Sequence, residues 1–119
     1  MRPEVQRWFE QAKEELETAK ISYDAQKWFA AAFWTQQAVE KAFKALFIQS
    51  KKESPGTTHS LTFLARELGV PQEYLAFARD LTKEYYLSRY PDATEDVPFK
   101  TYNQEDVKEY VLNATRLIT

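Results

Sequence analysis

The sequence predicts an all-α protein, an antiparallel up-and-down helical bundle of four longer helices plus one short helix. Apolar residues recur at three- and four-residue steps along most of its 119 residues, which is the spacing of a helix face and not the alternation of a strand. Gly and Pro fall where such segments end, at Pro55, Gly56, Gly69, Pro71 and Pro91, as chain punctuation does. No strand signal, Gly-rich phosphate loop or internal repeat interrupts the pattern. A second core is not sought below roughly 150 residues, so residues 1–119 are read as one domain.

The first helix places Val5, Trp8, Phe9, Ala12, Leu16, Ala19 and Tyr23 on one side and leaves Lys13, Glu14, Glu17 and Lys20 outside. After a turn at 24–26, the second helix spans 28–49. Phe29, Phe33, Phe43 and Phe47 lie near one side of it, with Ala32, Val39 and Leu46 beside them. It is nearly apolar all round for two turns, so it is expected at the centre of the bundle, touched on several sides. Gln36, Gln37, Glu40, Lys41 and Lys44 interrupt or flank its apolar stripe, and polar groups in a packing face need hydrogen-bond partners.

The polar stretch 50–56, with Pro55 and Gly56 together, reads as a loop. Thr57, Thr58 or Ser60 then caps a short helix holding Leu61, Leu64, Ala65 and Leu68, which Gly69 stops. Pro71 suits a first helical position and opens a fourth helix through Tyr74, Leu75, Ala78, Leu81 and Tyr85. Pro91 ends that run, because the residue before a proline is pushed out of helical geometry. Residues 90–101 lack a helical period and form a long connection for a bundle. Asn103 caps the last helix, with Glu105 and Asp106 in its first turn, Arg116 near its end, and Val107, Tyr110, Val111, Ala114, Leu117 and Ile118 inside.

Composition narrows the function classes. An aromatic share of 15% supplies large side chains for a sizeable core. The formal charge is -2, so no global positive field advertises nucleic-acid binding, and any such binding is local. Cysteine is absent, which rules out disulfides, thiolate metal sites and a thiol nucleophile. His59 is the one histidine and no spaced carboxylate cluster appears, so no metal site or cofactor is expected. Met1-Arg2-Pro3-Glu4-Val5 lacks the features of a signal peptide, and no apolar run approaches the roughly 20 residues that span a bilayer. The expectation is a soluble cytoplasmic protein that does not engage a membrane.

Three separated motifs carry a family resemblance. They are Gln36-Gln37-Ala38-Val39-Glu40-Lys41-Ala42-Phe43-Lys44-Ala45-Leu46, then Thr58-His59-Ser60-Leu61, then Arg89-Tyr90-Pro91-Asp92. In this order and on this length the chain resembles a HEPN domain of the small prokaryotic stand-alone type, from the Trp8 region through the last helix. The resemblance implies an all-helical bundle that commonly pairs as a homodimer. It also implies nucleotide binding, RNA-cleaving toxin or antiviral roles in many members, and frequent partnership with a minimal nucleotidyltransferase, as in toxin-antitoxin pairs. The family's ribonuclease motif is an Arg followed by His after four to six residues. Arg89 stands at the corresponding place, but Thr94, Glu95 and Asp96 occupy the positions where the His is needed.

Metal-independent RNA cleavage needs a group that takes the 2′-hydroxyl proton and a cation that stabilises phosphate charge. Arg89 suits the second role. With the motif incomplete, no catalytic residue is assigned. The expected function is non-catalytic binding of a nucleotide or RNA phosphate, with Arg89, Tyr90, Asp92, Tyr86, Lys44 and His59 as candidate contacts and a nucleotidyltransferase as candidate partner. Gln36, Gln37 and Glu40 are candidate interface residues.

Each has a plainer alternative. Arg89 can neutralise a helix C-terminus or pair with Asp92, His59 can cap a helix, Glu40 and Lys44 can pair one turn apart, and the tyrosines can simply pack. Two other functions stay open: a homodimeric interaction module without a ligand, and a divergent ribonuclease using His59 or Tyr90 with Arg89.

Overall fold

The computed structural model describes residues 2–90 and 97–119. Helical spacing becomes seven helical segments there: α1 (Pro3–Asp24), α2 (Trp28–Lys51), α3 (Leu61–Leu68), α4 (Gln72–Leu81), α5 (Glu84–Leu87), α6 (Pro98–Thr101) and α7 (Gln104–Ile118). No strand occurs among the described residues. The long helices pack antiparallel in a bundle with extents of 41 × 24 × 24 Å. The 24 residues of α2, at about 1.5 Å each, account for most of its long axis.

As expected from its all-round apolar pattern, α2 is the central helix and touches α1, α3, α5, α6 and α7. Its most extensive neighbour is α1. Both helices bury alanines, Ala12 and Ala19 on α1 and Ala31, Ala32, Ala38 and Ala42 on α2, and small side chains let helices approach closely. Phe43, Leu61, Leu64, Leu81 and Val107 fill the larger spaces. Gln26, with φ of 62°, turns the chain between α1 and α2. The Lys27 N–H then reaches back to the Ser22 carbonyl at 2.9 Å, and the Tyr23 and Trp28 rings meet edge to face at 5.2 Å.

The helix ends follow local chemistry. Ser60 caps α3 by accepting the Phe63 N–H at 3.1 Å, and Gly69 stops it with φ of 65°. Asn103 caps α7 by accepting the Asp106 N–H at 3.0 Å.

Four details differ from the sequence reading. Pro71 stands one position earlier than expected, at the cap of α4 and not inside it. The fourth helix is interrupted after Leu81, where Thr82 Oγ1 accepts the Leu61 N–H of α3 at 2.9 Å, and Tyr85 and Tyr86 bond three residues back instead of four. The long connection before α7 contains the single turn α6. Leu46, expected beside the inner aromatics of α2, faces outward and is 45% exposed. Among the described residues, no helix is long and apolar enough to cross a membrane.

Candidate functional site

Gln36, Glu40 and Lys44 follow one another at four-residue steps, which stacks them on one face of α2. All three are buried, and each has partners. Lys44 Nζ donates to Glu40 Oε2 at 3.1 Å and lies over the Trp8 ring at 5.6 Å. Gln36 Nε2 lies 3.3 Å from Glu40 Oε1 and 3.3 Å from the His59 carbonyl. Gln37 Nε2 donates to Gln36 Oε1 at 2.8 Å, while Lys41 Nζ reaches Gln37 Oε1 at 3.3 Å and the Glu15 carboxylate at 3.0 Å. This polar ladder ties α2 to α1 and to the loop before α3. Gln36, Gln37 and Glu40, the candidate interface residues, all use polar atoms within the chain, Gln37 from a half-buried position.

The loop 57–60 is fixed by its own hydroxyls. Ser60 N–H donates to Thr58 Oγ1 at 3.1 Å, and the next residue is anchored on Thr82. His59 is thereby set against α2, with Nδ1 3.1 and 3.2 Å from the two oxygens of Glu40. An ionised carboxylate only accepts, so Nδ1 carries the hydrogen of this contact. The other ring nitrogen, Nε2, has no protein partner among the described residues, and the imidazole side chain is 45% exposed. A buried carboxylate thus orients a half-exposed imidazole.

Tyr85 of α5 joins this histidine to Arg89. The His59 ring stacks on Tyr85 with centroids 4.1 Å apart and planes 14° from parallel. The Arg89 guanidinium carbon lies 4.5 Å from the centroid of the same Tyr85 ring, 4.8 Å from that of Phe33 and 4.9 Å from that of Tyr90. Cation–π contacts at exposed positions contribute about 0.5–1 kcal/mol each, so three rings hold the guanidinium in place. Its Nε donates to the Tyr85 carbonyl at 2.9 Å, which satisfies a helix C-terminal acceptor. The two Nη atoms have no protein acceptor among the described residues. Tyr86 meets Tyr85 edge-on at 4.9 Å and lies 5.9 Å from Tyr90. At 60% and 44% exposure, Tyr86 and Tyr90 stand partly in solvent.

His59, Tyr86, Arg89 and Tyr90 are therefore parts of one contiguous cluster. Lys44 is not on its surface and reaches it only through Glu40 and His59. Asp92 lies outside the described residues, as do Thr94, Glu95 and Asp96. Sequence reasoning missed Phe33 and Glu15. Phe33 looked like core, and Glu15 looked like any charge on an amphipathic helix, although its step from Ala12 and Ala19 places it on the buried side. Among the described residues, no group of three or more His, Cys, Asp or Glu side chains is placed to hold a metal ion.

A second buried acid, Glu84, was also missed. It continues the inner stripe of Phe77 and Leu81, and this spacing is the signal that could have found it. The Tyr102 hydroxyl donates to its Oε2, and the Tyr110 hydroxyl lies 3.4 Å from its Oε1. Burial pushes the Glu84 carboxyl above the ordinary carboxylate range, with the Tyr102 hydrogen bond opposing. Burial and the adjacent Glu84 push both phenols up.

A carboxyl whose folded pKa exceeds its unfolded value holds its proton more tightly when folded. Its contribution to stability is therefore complete below about 4.5, the ordinary value, and is lost as pH rises through the folded value. Glu84→Gln keeps the shape without the charge. Thermal melts should place its Tm above that of the parent at pH 7, with the gap closing towards pH 4. A gap of equal size at both pH values would contradict burial as the cause.

The chain matches the HEPN domain over residues 5–119. Among solved structures it is similar to TT1696 from Thermus thermophilus, with a TM-score of 0.89 and 29% identity over 98% of this chain and 94% of that one. It is also similar to ST0689, an archaeal HEPN homologue, with a TM-score of 0.82 and 33% identity over 99% of this chain and 93% of the other. No protein of curated function matches. The domain match, the all-helical bundle and the similarity to a HEPN homologue along its whole length agree: the chain belongs to the HEPN domain family.

Proposed function

We propose that the chain binds the phosphate of a nucleotide or of single-stranded RNA at Arg89, beside His59, without cleaving it, and that it works with a minimal nucleotidyltransferase. The observation that carries the binding half is the shared Tyr85 ring, which contacts both the imidazole and the guanidinium. A guanidinium already fixed by aromatic faces gives up little side-chain freedom when an anion arrives, and its Nη edge matches phosphate geometry. Tyr86 and Tyr90 supply faces for bases, and stacking contributes about 1–3 kcal/mol per base. The nucleotidyltransferase half rests on family membership.

Isothermal titration of the protein with ATP and with a short single-stranded RNA tests the binding. Saturable heat is expected, weakened tenfold or more in Arg89→Ala and in His59→Ala, with helical content unchanged by circular dichroism. An absence of heat with every nucleotide and RNA probe, or undiminished binding by Arg89→Ala, would refute it.

One observation favours a second reading, a divergent ribonuclease. Glu40 holds Nδ1 of His59 and leaves Nε2 to accept a proton. In that reaction Nε2 takes the 2′-hydroxyl proton, the 2′-oxygen attacks phosphorus, and the P–O5′ bond breaks as the leaving oxygen regains a proton from the imidazolium. Cleavage that is lost in both Arg89→Ala and His59→Ala would replace the binding reading with this one. The exposed rings of Tyr86 and Tyr90 also support a homodimer, which light scattering at high protein concentration checks directly.

A further inference from the structure

On the opposite charge logic from Arg89, a groove of about 790 Å³ runs between α4 with α5 and the facing side of α7. Each wall is one helical stripe. On α4 the stripe is Glu73, Ala76, Phe77 and Asp80, and on α7 it is Asp106, Glu109, Tyr110 and Asn113, both at steps of three and four residues. Phe77 and Tyr110 lie deep, while Glu73, Asp80, Asp106 and Glu109 are exposed. Lys83 is the one cation among the described residues of the lining, and it is paired with Asp80 at 3.1 Å. The groove therefore has a mixed floor, in which Phe77, Leu87 and the Tyr110 ring flank the carboxyl of Glu84 and its tyrosine hydroxyls, and a negative rim.

We infer that this groove is a docking site for a basic amphipathic helix of a partner protein. Two helices with facing stripes leave the furrow into which the side chains of a third helix pack. The 10 residues of α4, at about 1.5 Å each, give it a wall of roughly 15 Å, room for about three helical turns. Apolar residues at i, i+3, i+4 and i+7 would meet Phe77 and Tyr110, and flanking Lys or Arg would meet the rim carboxylates of Glu73, Asp106 and Glu109, Asp80 being paired with Lys83. The outer face of α1 is not such a helix, since it mixes Lys13 and Lys20 with Glu14 and Glu17. The occupant inferred is a different protein, at a site separate from the Arg89 cluster.

The test titrates the full chain, labelled with ¹⁵N, with a synthetic helical peptide carrying Leu at those four spacings and Lys on both flanks. Three controls carry Glu on the flanks, Ser in place of Leu, or are spermine alone. Saturable shift changes along α4 and α7 are expected with the Lys peptide only. Affinity should fall tenfold or more in the double variant Glu73→Lys/Glu109→Lys, whose exposed positions leave the fold intact by thermal melt. Shift changes confined to the Arg89 cluster, or no saturable change, would overturn the inference. So would equal binding of the Glu peptide, the Ser peptide or spermine, or undiminished binding by the double variant.

Discussion

Glu40→Ala is expected to lower the unfolding free energy by about 3–5 kcal/mol, because removing one partner of a buried pair strands the other. Lys44 has a side chain only 6% exposed, and Glu40 supplies its carboxylate at 3.1 Å. The substitution also removes an acceptor of Gln36 and the partner of His59 Nδ1. Whole domains are stable by only about 5–15 kcal/mol, so the variant should show a much lower urea midpoint.

The double variant Glu40→Leu/Lys44→Met supplies the contrast. Replacing both charges by apolar groups of similar size is often neutral or stabilising, by about 1–4 kcal/mol, so this protein should unfold near the parent midpoint. Its His59 would nevertheless have lost the carboxylate that orients it. If the imidazole contributes to phosphate binding through that orientation, the double variant will be stable yet bind ATP or RNA more weakly. A Glu40→Ala midpoint indistinguishable from the parent would show that Lys44 finds water or another acceptor.

The parts of the fold legible in the sequence are those decided locally. Ser60 and Asn103 cap because the oxygen of a short polar side chain can reach an N–H three residues on. Gly69 stops α3 because it takes positive φ without a Cβ clash. What stayed hidden depends on contacts across the chain. The interruption after Leu81 coincides with the Thr82 hydroxyl accepting the Leu61 N–H, a bond 21 residues apart that no local pattern announces.

The candidate site divides along the same line. The i, i+4 step from Glu40 to Lys44 was readable as a pair, and three motifs marked His59 and Arg89. That Glu40 meets His59 across 19 residues, and that Tyr85 serves both His59 and Arg89, follow from how α2, the 57–60 loop and α5 converge. Phe33 was legible as an aromatic on α2 but not as a platform for a guanidinium, since the face it occupies is chosen by the packing of α1 and α7 on the others.

That choice of faces on α2 can be measured with two substitutions three residues apart. Phe43→Ala is expected to cost about 3–5 kcal/mol, the loss typical of a large aromatic removed from a closed core. Phe43 is 1% exposed and lies in the main apolar cluster, so the surroundings would have to collapse to fill its space. Leu46→Ala on the same helix should stay within about 0.5 kcal/mol, as surface substitutions do, because Leu46 is already 45% exposed. The sequence alone gives both residues similar weight, since α2 is nearly apolar all round. Guanidinium or urea unfolding of the two variants therefore reads the orientation of α2 directly. Similar losses at both positions would mean that Leu46 is covered in solution, by a second subunit or another protein, and light scattering on the parent would separate those two causes.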